Sequence, residues 1–588
     1  MASEAKQEQS ISQNARIEQD RQLILDARAK GRLPMLGAFV RLSGPGWLQS
    51  AITLGGGSLS GSLYLGVLGG FMFMWLQPLA MIAGIIMLSA IAYVTLSTGK
   101  RPLGAINEHI NPVLGWGWLF ASMMANLVWS LPQFALATAA LRQNLLPGIF
   151  GDQGMIPGFY GQLSVSILVL AVAMTAAMLY TTGGKGMKIF EVVVKGMVGI
   201  TVICFIGVVV RLTMLGQLPW GSIGRGFIPN LRLLFEPTPD LMALINQVAE
   251  DQRVFWVDMI VHQQRSVMIS AAATAVGINM TFLFPYSMLR KGWDRDFRGL
   301  AIFDLSTGLF FPFLLATSCV VIASASQFHG QVGAGLLGEI DPETDQVIEP
   351  APNLVGSFNR NLEARLAMEI GEEEIEAMRE RDELEGTDTL AQRIDALPQA
   401  DRLMAAVLAR RDAFNLSDAL SPLVGRRFSH YVFGLGVLGM AMGAATMLML
   451  INGLCFCELL NLPARGWPQR AGSLMVCVGV LGPFFWGDAQ MWLAIPTSVF
   501  AMTLLPFAYF SFFALMNQKT LLGNDMPTGL RRIWWNTLMA IAAGLAAFAS
   551  FYSLWSRIQW YGVGLIVIVL ALMGAVHIYR KSQEQAAA

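Results

Sequence analysis

Two short runs carry the residue types that free backbone polar groups inside an otherwise apolar helix. Leu54-Gly55-Gly56-Gly57-Ser58 interrupts one apolar stretch and is followed by Ser60, Gly61 and Ser62. Three consecutive glycines cost roughly 3 kcal/mol of helix propensity relative to alanine, enough to unwind the segment. The second run, Val276-Gly277-Ile278-Asn279, lies near the middle of another apolar stretch, with Pro285 one and a half turns further on. Each break leaves N–H and C=O groups that lipid cannot satisfy, so protein or a polar cavity has to complete them. Close packing of helices through small residues is the plainer reading, but packing motifs space their glycines by four rather than stacking them.

The chemistry open to such a pair of breaks is solute binding. Gly55, Gly56, Gly57, Ser58, Val276, Gly277 and Asn279 are the candidate substrate-binding residues. Glycine carbonyls, Ser58 and Asn279, with Thr281 and Thr446 as further candidates, supply neutral oxygens for a monovalent or partly hydrated cation. Glycine N–H groups at a half-helix start suit a carboxylate instead, and a zwitterion such as an amino acid uses both kinds of end.

Other polar residues in apolar runs are few. Asn126 and Gln133 lie two turns apart on one helix face with Trp129 and Ser130, and either line a path or bond across to a neighbouring helix. Asp304 is the candidate for binding a coupling ion, unless Arg298 or Lys291 pairs with it. Glu191 and Lys195, spaced i, i+4, are expected to neutralise each other. His109, His329 and His430 have no metal-ligand companions and are expected to face solvent. The five cysteines all fall in apolar stretches, so neither a disulfide framework nor a zinc site is expected. No nucleophile–base pair or phosphate loop is present, so nothing points to an enzyme or a cofactor.

The elements that position these residues follow from composition. The chain has 588 residues, 54% hydrophobic and 14% charged, with a mean hydropathy of +0.52. Soluble domains carry about 25% charged residues, so the deficit points to lipid as the main solvent. Forty basic and 40 acidic residues balance, which excludes the electrostatic footprint of a nucleic-acid binder. Twelve apolar runs long enough to cross a bilayer are expected, the first at 45–68 and the last at 559–579. Basic residues in alternate short loops, such as Lys100/Arg101, Arg290/Lys291 and Arg531/Arg532, put both termini in the cytoplasm of a bacterial inner-membrane protein. The expected organisation is a tail at 1–43, helices one to seven at 44–325 with an interfacial stretch at 240–265, an acidic extracytoplasmic insertion at 326–427, helices eight to twelve at 428–580, and a tail at 581–588. The insertion holds half of the chain's acidic residues. It is expected to be mostly helical, with a short hairpin around Asp341-Pro342.

These residues resemble the natural resistance-associated macrophage protein (Nramp) divalent-metal transporters of the amino acid–polyamine–organocation superfamily. Ser43-Gly44-Pro45-Gly46-Trp47-Leu48 is similar to that family's approach to its first helix, Ala273-Thr274 to its lead into the sixth, and 493–508 through Leu521-Leu522-Gly523 to its tenth. The resemblance implies a LeuT-type core of two inverted five-helix repeats, with broken helices one and six around the substrate, and alternating-access transport of a divalent metal. The family's Asp-Pro-Gly-Asn motif falls on Gly55-Gly56-Gly57-Ser58 and its Met-Pro-His-Asn motif on Val276-Gly277-Ile278-Asn279, so only Asn279 survives. An acid pair tied to proton movement falls on Ser130 and Gln133. No metal ligand is therefore assigned, and a metal cation and a small organic or zwitterionic solute both stay open as cargo. A channel-like pore and a non-transporting membrane sensor also stay open, and the residues do not set the oligomeric state.

Overall fold

The structure is a computed structural model that describes residues 2–182, 184–340, 345–485 and 493–587. The expected turn at Asp341-Pro342, and the short outer turn holding Asp488 and Gln490, lie outside the described residues. The fold is all-helical, and the only strand-like feature among the described residues is an isolated antiparallel bridge between Ile340 and Val347.

The N-terminal tail forms α1 (Ala2–Lys30) and α2 (Arg32–Leu42). Arg21 of α1 pairs with Asp294 at 2.5 Å, and a side chain at Gly292 would meet Ile17, so the tail folds back onto the turn at 292–296. The first apolar run is split into α3 (Pro45–Thr53) and α4 (Gly56–Gly69). Then come α5 (Leu76–Thr98), α6 (Pro112–Ala139), α7 (Gly158–Thr182) and α8 (Gly184–Met214). The sixth run is split into α9 (Arg253–Ala275) and α10 (Ile278–Arg290). The seventh comprises α11 (Arg298–Asp304), a π-helical turn and α12 (Phe310–Phe328). The stretch expected along the interface, 240–265, is divided between a short helix, Pro239–Ile245, and the first turns of α9.

Beyond α12 the acidic segment contributes α13 (Pro352–Ile370), α14 (Glu372–Glu385), α15 (Thr389–Asp395), α16 (Gln399–Val407) and α17 (Ala413–Val424). The chain returns through α18 (Arg426–Leu459), α19 (Trp467–Leu474), α20 (Ala494–Met516) and α21 (Gly529–Ala587).

Among the described residues nine helices are long and apolar enough to cross a membrane, or ten when α3 and α4 count as one span. Twelve separate long helices are therefore not recovered. The run expected at 471–487 is a mixture of α19, a 3-10 stretch over Met475–Leu481 and one turn at Gly482–Phe485. A 3-10 helix rises about 2.0 Å per residue, so this segment covers its distance with fewer residues. The last two expected runs lie within α21, which is interrupted at Gln559 with φ 42° and ψ −120°. A Cβ on Gly562 would stand 2.9 Å from that of Leu554, so the chain turns back on itself there.

Small residues let the central helices approach closely. Gly61 of α4 faces Ala271 of α9, Gly66 faces Val321 and Ser324 of α12, and Gly84 of α5 receives Val276. These contacts hold α4, α5 and α9 around the two breaks.

The acidic helices form a cap seated on the head of α9. Arg365 and Asp401 are each 1% exposed and 3.1 Å apart, and Trp256 of α9 donates its indole N–H to the same carboxylate at 2.7 Å. Truncating one partner of a buried ion pair strands the other, at a cost of about 3–5 kcal/mol. Asp401→Ala is therefore expected to loosen the cap by that order, seen as earlier proteolysis of 345–424 and a lower melting temperature. Unchanged values would show that Trp256 and Arg365 do not depend on Asp401.

Candidate functional site

Both breaks are present. After α3 the chain leaves helical geometry at Leu54 (φ −79°, ψ 59°) and Gly55 (φ −109°, ψ −176°) before α4 begins, and the two halves meet at a 55° bend. Between α9 and α10 the interruption is Val276 (φ −140°, ψ 102°) and Gly277 (φ −80°, ψ 163°), both extended.

Three side chains replace the helix bonds lost there. Ser58 Oγ donates to the Thr53 carbonyl at 2.5 Å, and Gln133 Oε1 on α6 accepts from the Gly56 N–H at 2.8 Å. Thr53 Oγ1 donates to the Ala275 carbonyl at 3.1 Å and lies 3.0 Å from Met280 Sδ, so one hydroxyl ties the first break to the second. This is the condition under which irregular backbone survives inside a membrane protein.

A small cavity lies between the breaks, with about 20 Å³ of space open to a water-sized centre. Gly55, Gly57, Ser58, Gln133, Gly277 and Asn279 line it, with Thr53, Trp129, Thr274, Met280, Ala444 and Leu448. All are buried. Neither amide atom of Asn279 and not the indole N–H of Trp129 has a hydrogen-bond partner. Asn279 is 0% exposed, and buried amides left this way call for a ligand or water.

The remaining candidates fall elsewhere. Val276 packs away from the cavity against Gly84. Gly56 sits behind the wall, its N–H taken by Gln133. Ser130 bonds the Leu127 carbonyl, Thr281 receives the Trp118 indole N–H, and Thr446 bonds the Met442 carbonyl. Asn126 is buried and unpartnered but does not touch the cavity.

Asp304 sits at the start of α3. Its carboxylate accepts from Ser43 Oγ and from the N–H groups of Gly44 (3.2 Å) and Gly46 (2.6 Å), so it serves as an anionic cap on the helix start. Glu191 pairs with Lys291 at 3.2 Å rather than with Lys195, whose ammonium turns to the Ser43 carbonyl. The end of α10 presents Lys291 directly to Glu191, which overrides the i, i+4 pairing. The histidines do not face solvent freely: His329 bonds the Val67 carbonyl at 2.9 Å, while His109 and His430 lie beside Glu108 and Asp418.

Sequence reasoning missed Met280 and Thr53 as cavity residues. Each adjoins a break, which was the only signal available. No carboxylate, histidine or cysteine lines the cavity, and no cluster of three or more such residues suited to a metal occurs among the described residues. A Cβ on Gly55 would stand 2.8 Å from that of Ala444 and 3.2 Å from Gln133 Oε1, so the side chain missing from that position has no room.

An all-helical membrane bundle with two interrupted helices facing across a closed polar cavity is the architecture of a membrane transporter. The model of the natural resistance-associated macrophage protein-like family matches residues 46–341 and 402–556, and the chain belongs to that family. The matched portion leaves out most of the cap. Solved structures with the same fold include a mutant of the Eremococcus coleocola manganese transporter, at 12% identity and a TM-score of 0.61 over 92% of this chain and 95% of that one. The same transporter in complex with an aromatic bis-isothiourea substituted compound gives 13% identity and a TM-score of 0.61 over 93% and 96%. A comparison with curated proteins gives no match.

Close packing behind the glycines makes a sharp prediction. A Cβ on Gly56 would already stand 2.3 Å from Leu136 Cδ1 and 3.2 Å from Gln133 Oε1. Gly56→Leu is expected to abolish uptake while the protein still inserts and purifies as a single species, read by proteoliposome flux beside size-exclusion profile. Normal uptake in this variant would count against the site.

Proposed function

We propose that this chain is an alternating-access secondary transporter of metal cations that carries its cargo between the two helix breaks with part of the cargo's water retained. The single observation that supports this is the free amide of Asn279 at a cavity with no charged lining. Membership of the family favours a metal ion over an organic solute or a sensor. The donors on offer are amide, hydroxyl and carbonyl oxygens and one thioether. Such neutral groups compensate poorly for stripping a divalent ion of all its water, so the ion enters partly hydrated and is held weakly.

In the bilayer we place both termini on the cytoplasmic side of a bacterial inner membrane. Arg298 and Arg531 both lie over the Tyr93 ring near the end of α5, and Arg101 just beyond it pairs with Glu458, so basic residues gather at that end, which supports the orientation.

Binding stabilises by mass action whatever the transport mode. Millimolar Mg2+, Mn2+ or Ca2+ is expected to raise the melting temperature of purified protein, and Asn279→Ala to remove the shift. A shift with amino acids or organic acids and none with any divalent ion would overturn the cargo assignment. No titratable side chain lines the cavity, so divalent uptake is expected to change less than twofold when a pH gradient is imposed on proteoliposomes. Uptake that carries protons with it would refute this part.

A further inference from the structure

One helical turn from the cavity, toward the end of the bundle away from the cap, three carboxamides take equivalent places. Gln49 stands four residues before Thr53 on α3, Asn126 three before Trp129 on α6, and Asn452 four after Leu448 on α18. Thr53, Trp129 and Leu448 line the cavity. Residues three or four apart share a helix face, so the amides continue the cavity wall on three helices at once.

Close packing puts α18 directly beside the first break. On the antiparallel α18, Ala444 faces Gly55 and Gly443 faces Ala51.

All three side chains are 0% exposed. Gln49 and Asn126 lack a partner for either amide atom and Asn452 lacks one for its oxygen, although its nitrogen donates to the Gly472 carbonyl at 2.8 Å. Gln469, also buried with both amide atoms unpartnered, packs its carbonyl against the position of Gly453. Native interiors hold few such groups, and each is unfavourable unless something satisfies it. Polar side chains inside membrane bundles mark solute paths.

We infer that Gln49, Asn126 and Asn452 line the cap-distal half of the transport path, closed in this state and filled by water and cargo in the alternate one. The inference rests on the reading of the neutral cavity as the cargo site, and it extends that site's chemistry. Amides exchange hydrogen bonds with a hydrated cation's water without placing a fixed charge that would trap it. The Arg101–Glu458 pair, 3.0 Å apart, bridges the far end of α18 to the turn after α5.

The experiment has two arms. Gln49→Leu and Asn126→Leu remove amides with no partner, so their melting temperatures are expected to hold or rise while divalent uptake falls at least tenfold. Asn452→Leu, which also frees the Gly472 carbonyl, is expected to lower uptake by the same factor and is read by uptake alone. A lower melting temperature for Gln49→Leu or Asn126→Leu would mark the amides as structural, and unchanged uptake would take them off the path; either overturns the inference. In the second arm each position carries the only cysteine, the five native ones being replaced by alanine. A membrane-impermeant thiosulfonate is expected to modify these cysteines from the cap-distal side and not from the cap side. No modification at any of the three overturns the inference, whatever the uptake. Modification in vesicles that take up no divalent ion supports the path and counts against the cation assignment instead.

Discussion

Backbone hydrogen bonding without water is the constraint on which the rest of this structure depends. Two helices are broken in the interior, and every N–H and C=O set loose has to find a protein partner. Thr53 is the centre of the solution, since its hydroxyl reaches the Ala275 carbonyl of the opposite break and its own carbonyl accepts from Ser58. Gln133 adds a third support from α6. Once these groups are satisfied, Asn279 is left facing the cavity with its amide unused. The site is thus what remains after the breaks have been repaired.

Much of this was legible in the sequence. Stacked glycines at 55–57 carry a penalty that favours a break, and although Gly56 and Gly57 re-enter the helix, the place of the first break could be read from them. Asn279 stood out because amides are rare in apolar runs. Partners distant in sequence could not be read. Nothing local indicates that Gln133 reaches Gly56, that Lys291 rather than Lys195 meets Glu191, or that Val276 turns toward Gly84. The count of twelve is not confirmed for a related reason, because hydropathy does not distinguish an α-helical span from the 3-10 stretch at Met475–Leu481. Met280 and Thr53 were missed because methionine and threonine are ordinary residues of membrane helices.

Departure from the family's metal motifs is accommodated by repacking. The volume beside Gly55 is taken by Ala444 and by the Gln133 amide, which also holds the backbone. Glycine at 55 and glutamine at 133 therefore act as a matched pair, and restoring an acid at position 55 alone would drive it into both neighbours. At the foot of the same helix the carboxylate of Asp304 is fully engaged by Ser43, Gly44 and Gly46. A negative charge in this part of the bundle thus holds the helix start in place and leaves the cavity neutral.

The grip of Asp401 on both Arg365 and Trp256 has a mechanical meaning. Trp256 heads α9, and α9 runs without interruption to Val276 at the second break. Any displacement of the acidic helices therefore has to carry the head of α9 with it or break the Trp256–Asp401 bond. The cap is thus fastened to the one helix that leads straight into the second break.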